Sequence, residues 1–180
     1  PADLARIGQL WKRWVTLFCS DSTGSTRKGF STSERAIWNN LEKIISHHNK
    51  WRLIITIFSS WISRVQQIIN ACEKYDKYIF LSGRSMVENI AIAKDLWYLK
   101  SKTGRIRKMT PKNTQWIPLD KQIIITTWSQ WEEFSALTRM AEWRHNSIEI
   151  LAWDTIVFSS SVVPGNEKSV YWVINKLIKL

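Results

Sequence analysis

The chain has 180 residues, enough for one full-sized core and too few for two comfortable domains. Its 26 Lys and Arg against 15 Asp and Glu give a net charge of +11 and a pI near 9.9, which points to a polyanionic partner, nucleic acid first and an anionic membrane surface second. No run approaches the roughly 20 apolar residues of a membrane span, no signal-peptide pattern opens the chain, and Cys19 and Cys72 lack CxxC spacing and read as buried free thiols, so the expectation is a soluble cytoplasmic protein.

In chain order, Val15 to Cys19 reads as a short apolar strand ending at Ser20-Asp21. Ser33 and Glu34 then open a helix carrying Ala36, Ile37, Leu41, Ile44 and Ile45. Arg52 to Phe58 is the second strand, followed by a helix with Ile62, Val65, Ile68, Ile69 and Cys72. Tyr78 to Leu81 is the third, and Ser85 is placed to cap the helix Met86 to Leu96. Ser101 to Pro118 lacks periodicity. The run from Lys100 to Lys112 holds six cations and no acid, which fits either a solvated loop or a track for a phosphate backbone. Ile123 to Thr127 is an uninterrupted β-branched run, the pattern of a strand buried on both faces, and Phe134, Leu137, Met140 and Ala141 follow at helical spacing. Asp154 to Ser160 is the last strand, and Pro164-Gly165-Asn166 leads into a helix with Val170, Val173, Ile174, Leu177 and Ile178.

This alternation predicts an α/β fold, a mostly parallel sheet flanked by helices on both faces, with any ligand site beyond the carboxyl ends of the strands. Those ends read "SDSTGS", "FSSW", "SGRS", "TTWSQW" and "SSSVVPGNE". Hydroxyls, amides and an arginine on one edge suit phosphate or sugar recognition, although Ser and Asn also cap helices everywhere. His47, His48 and His145 read as lying away from these ends, and the chain has no HxHxDH, Walker A or GxGxxG motif. On these residues alone, a hydrolase has no evident metal or activated nucleophile.

Five blocks in collinear order, "LFCSDSTGSTRKGFSTSE", "IITIFSSWISRVQQIINACEKY", "LSGRSMVENIAIAKDLWYL", "IIITTWSQWEEFSALTRMA" and "VVPGNEKSVYWVINKL", resemble ribonuclease J. Members of that family are metallo-β-lactamase-fold ribonucleases with an inserted β-CASP domain. The resemblance implies that residues 1–32 are the end of the first metallo-β-lactamase segment and the entry to the insert, and that 33–180 are the β-CASP domain. It implies zinc-dependent hydrolysis of RNA, as a 5′-to-3′ exonuclease and an endonuclease, by a cytoplasmic homodimer or homotetramer. The zinc ligands of the full-length enzyme would lie outside this chain, so the fragment alone is expected to be inactive, with no metal site of its own. Asp21 matches the supporting acid of the first β-CASP motif, a carboxylate suited to orienting a downstream histidine. Ser59, Ser60, Arg84, Ser129, Gln130, Glu132, Asn166 and Glu167 fall in loops that would border the RNA cleft. The competing readings are a non-catalytic RNA-binding α/β module and a metal-independent nucleotide-binding protein. A flanking HxHxDH separates the first from the enzyme, and salt-insensitive mononucleotide binding would mark the second.

Twelve Trp against six Gly inverts ordinary usage, in which Gly alone is about 7% of residues. Where this chain has Trp128 and Trp131, the resembled pattern reads TTGSQGE, and the same mismatch recurs at Trp11, Trp14, Trp51, Trp97, Trp143 and Trp153. Some bacteria read UGA as glycine, and a gene from such a lineage translated with UGA as tryptophan gives this pattern. Most of the eight positions read as turns, where a bulky side chain is costly.

Overall fold

The computed structural model describes residues 3–20, 22, 25–26, 28–29, 32–127, 135–160, 162–163 and 165–179. The chain divides into two units, Pro1–Thr32 and Ser33–Leu180. In the first, helix α1 (Leu4–Trp11) is capped by the Asp3 carboxylate, which accepts from the Arg6 N–H at 2.9 Å. The strand expected at Val15 to Cys19 does not form: these residues are irregular and exposed. Among the described residues of this unit no second strand lies alongside to share a hydrogen-bond ladder, and a five-residue segment cannot hold an extended conformation alone. For the same reason Cys19 is exposed, against the expectation of burial, whereas Cys72 is buried. Trp11 ends a helix and is not in a turn.

The second unit is a three-layer α/β structure. Its elements are α2 (Glu34–His47), β1 (Leu53–Ile57), α3 (Ile62–Lys74), β2 (Tyr78–Ser82), α4 (Arg84–Asp95), β3 (Ile106–Lys108) and α5 (Pro111–Thr114). A 3-10 turn, η1 (Leu119–Lys121), then precedes β4 (Gln122–Thr127), α6 (Ala136–Ala141), β5 (Thr155–Phe158) and α7 (Glu167–Leu177). The five strands form one parallel sheet in the order β3-β2-β4-β1-β5. Every residue of β1 is buried, as a central parallel strand covered on both faces requires. Leu53, Ile55, Ile57, Ile79, Leu81, Ile123 and Ile125 face a core shared with α2, α3 and α4. Ile54, Phe80 and Ile124 face a second core with α6 and α7.

Two local expectations are corrected here. Ser85 does not cap α4: the helix begins one residue before it, at Arg84, with Gly83 in the cap position at φ 100°. A side chain at Gly83 would also meet the Thr127 hydroxyl, since an added Cβ lies 2.7 Å from Thr127 Oγ1. The aperiodic stretch Ser101 to Pro118 contains the edge strand β3 and the short helix α5. A three-residue strand is too short to display a period, and it is held by its register with β2, Ile79 to Ile106 through Leu81 to Lys108. The loop before it is pinned by Glu73, which accepts from the Ser101 hydroxyl at 2.8 Å and the Lys102 N–H at 2.7 Å. Burial alone would raise the Glu73 pKa, but these hydrogen bonds outweigh it and hold the carboxyl below its ordinary range.

Candidate nucleic-acid interface

Because the strands are all parallel, their carboxyl ends share one edge. At β2 and β4 the following helices leave to opposite faces, α4 toward the first core and α6 toward the second. Such a reversal opens a crevice at the carboxyl edge, the usual ligand position in an open α/β sheet. A cleft of about 320 Å³ lies there, lined among others by Ser82, Arg84, Lys108, Arg139 and His145, with Glu88 as its acid. The first turn of α4 has no side-chain cap and faces this cleft, so its N–H groups add positive potential to that of the three cations.

From Ser82 in the cleft lining, a polar row continues across the sheet by register. Ser82 lies opposite Thr126 and Thr126 opposite Thr56, giving a row of three buried side-chain hydroxyls across the central strands. Ser82 Oγ is 3.1 Å from His145 Nε2, and Thr56 donates to the Val157 carbonyl at 3.3 Å. Thr126 Oγ1 and Arg139 Nε are buried without a hydrogen-bond partner. His145 Nδ1 accepts from the Ser147 N–H at 3.2 Å, which fixes the neutral tautomer with its proton on Nε2, aimed at Ser82. Burial first, and then the charge of Arg139, lowers the His145 pKa below the ordinary imidazole value.

His145 was expected away from the strand ends, and the structure corrects this. The reason is the length of α6. Its 6 residues rise only about 9 Å, less than half the span of the six-residue strand before it, so the turn that follows still stands over the carboxyl half of the sheet. Arg139, Lys108, Asn146 and Ser147 were missed for related reasons. Lys108 stood in the cationic run, but only β3 formation selects it from that run: Arg105 pairs with Asp76, and Arg105 and Arg107 lie over the Tyr78 ring.

A family model described as "Ribonuclease J, beta-CASP domain" matches residues 50–177, which include every strand and the cleft. The chain belongs to the ribonuclease J β-CASP family. Over its whole length it is 39% identical to a ribonuclease J of Mycolicibacterium smegmatis, covering 32% of that protein. It is 37% identical to a ribonuclease J of Thermus thermophilus across 98% of this chain and 30% of the relative. A Helicobacter pylori ribonuclease J is 37% identical across 99% of the chain and 25% of its own length. The chain thus spans about a quarter to a third of the curated relatives it matches.

Within this β-CASP domain the remaining sequence-derived site residues fall at three strand ends. Arg84 is exposed and lines the cleft after β2. Ser59 and Ser60 lie between β1 and α3, where the Ser59 hydroxyl accepts from Asn89 of α4 at 3.1 Å. Asn166 and Glu167 start α7 beyond β5; Asn166 is buried with its Nδ2 unpartnered, and Glu167 accepts from the Gly165 N–H at 2.9 Å. Topology brings all three positions to the carboxyl edge, and of these residues only Arg84 lines the cleft. Asp21, Ser129, Gln130 and Glu132, like Trp128 and Trp131, lie outside the described residues. Among the described residues no three His, Cys, Asp or Glu side chains cluster as metal ligands. No described helix is long and apolar enough to cross a membrane.

Proposed function

We propose that this chain is the RNA-clamping β-CASP part of a ribonuclease J-like hydrolase. The observation that carries the reading is the cleft at the β2/β4 crevice, where Arg84, Lys108 and Arg139 meet the N-terminus of α4. Three cations around an uncapped helix start offer directed N–H donors and charge to a phosphodiester backbone without reading bases. On this reading the parent enzyme cleaves RNA both from the 5′ end and internally, works in the cytoplasm as a dimer or tetramer, and holds its zinc on segments outside this chain. What these residues do is bind and orient: they grip the strand while cleavage occurs elsewhere in the parent protein. Ser59, Ser60, Ser129, Gln130, Glu132, Asn166 and Glu167 would extend the grip on the RNA, and Asp21 would serve as the supporting acid that orients a histidine of the parent enzyme.

The test is fluorescence anisotropy of the chain with a labelled single-stranded RNA over a salt series. A steep linear fall of log affinity with log salt is expected. The double variant Arg84→Ala/Lys108→Ala should weaken binding about tenfold or more and flatten the slope by roughly one to two phosphate contacts. An unchanged slope in that variant removes the cleft from the interface.

A further inference from the structure

Three long or central helices of the second unit end in the same hydrogen-bonded turn. The N–H two residues past the cap returns to the carbonyl five residues earlier: Lys77 to Cys72 at 2.8 Å after α3, Tyr98 to Ala93 at 2.9 Å after α4, and Arg144 to Arg139 at 2.8 Å after α6. After α4 and α6 the inner bond of the motif is also present, Trp97 N–H to Lys94 at 3.0 Å and Trp143 N–H to Met140 at 3.2 Å. This turn requires its pivot residue to be left-handed. The pivots are Asp76 at φ 55°, Trp97 at φ 62° and Trp143 at φ 60°. In the first unit Trp14, at φ 59°, closes a similar turn on the Trp11 carbonyl at 3.2 Å.

In this conformation Cβ crowds the following carbonyl oxygen; Asp visits it far more readily than most residues, whereas a bulky residue there is an outlier. Among the described residues the four non-glycine positions of positive φ are Asp76 and these three tryptophans. None of these tryptophans is buried in a core that would offset the strain: Trp14, Trp97 and Trp143 are 94%, 81% and 58% exposed. We infer that the working protein carries glycine at positions 14, 97 and 143. The inference does not rest on the RNA-clamping reading. At position 143 it bears on the cleft, because the turn that pivots there joins Arg139 to His145, two of its lining residues.

The backbone also limits the inference. Trp51 and Trp153 have no left-handed φ, and their rings stack with centroids 6.2 Å apart. Trp11 is helical, so these three positions carry no such argument.

Two measurements decide it. Tandem mass spectrometry of peptides from the protein isolated from its source cells should find glycine at 97 and 143; tryptophan at either position overturns the inference. In the 180-residue chain, the double variant Trp97→Gly/Trp143→Gly should raise Tm by about 5 °C, because release of two strained pivots exceeds the entropy glycine adds to the unfolded chain. Trp172→Gly, within α7, should lower Tm by a few degrees as ordinary helix-interior glycine does. A double variant that falls in Tm as Trp172→Gly does overturns the inference.

Discussion

Outside the cleft, Arg52 ties two separate parts of the second unit together. It precedes β1 and reaches across to the turn before β5, where its Nε donates to Asp154 Oδ1 at 2.9 Å and its Nη2 to the Glu149 carbonyl at 2.6 Å. Asp154 in turn accepts from the Leu151 N–H at 2.9 Å, and its side chain is wholly buried. A buried pair adds little net stability relative to apolar neighbours, yet removing one member strands the other charge without water. Arg52→Ala should therefore cost about 3–5 kcal/mol, read as the shift in a urea unfolding midpoint. The double variant Arg52→Ala/Asp154→Ala should recover part of that loss. Equal losses in the single and double variants would show that packing, not the stranded carboxylate, sets the cost.

At the scale of elements, the edge strand β3 depends on a residue far from it in sequence. Asp76, in the turn after α3, pairs with Arg105 at the entry to β3 and with Lys121 at the entry to β4. Hydrogen bonds from Lys121 first and Arg105 second hold its carboxyl at about 2, below the usual carboxylate value. A carboxyl lowered by folding contributes stability above its unfolded pKa and loses it as pH falls toward the folded one. Asp76→Asn should thus be less stable than the parent chain at pH 5, and the two melting curves should converge toward pH 2. The strands β1, β2, β4 and β5 and the long helices were legible because each carries an unbroken apolar run or a helical period. The edge strand, the α4 start and the position of His145 were not, because each depends on another element: the register of β2, the Thr127 hydroxyl against Gly83, and the shortness of α6 relative to β4. Among the described residues, Arg84 is the sequence-derived site residue that lines the cleft.

For the whole molecule, the proposed clamping of RNA in the cleft would couple binding to protonation in a direction opposite to folding. Burial first and Arg139 second favour the neutral form of His145 in the free protein, as does the Ser147 N–H on Nδ1, while Arg84 and Lys108 add positive charge around it and Glu88 opposes them. A histidine whose pKa is lowered by folding keeps its contribution above the unfolded value near 6.5, so stability should decline as pH falls below that value. A phosphodiester entering the cleft reverses the local field and favours the imidazolium, so RNA affinity should rise over the same interval. An RNA with a 5′ hydroxyl isolates the effect, since its phosphodiesters do not titrate near neutrality. Between pH 8 and pH 6 the parent chain should bind this RNA more tightly by several-fold while its Tm falls. His145→Asn, which can still donate to Ser82, should flatten the affinity profile. If affinity in the parent chain is flat over this interval, or if His145→Asn leaves a rising profile in place, the proton is taken up elsewhere and the bound strand does not reach His145.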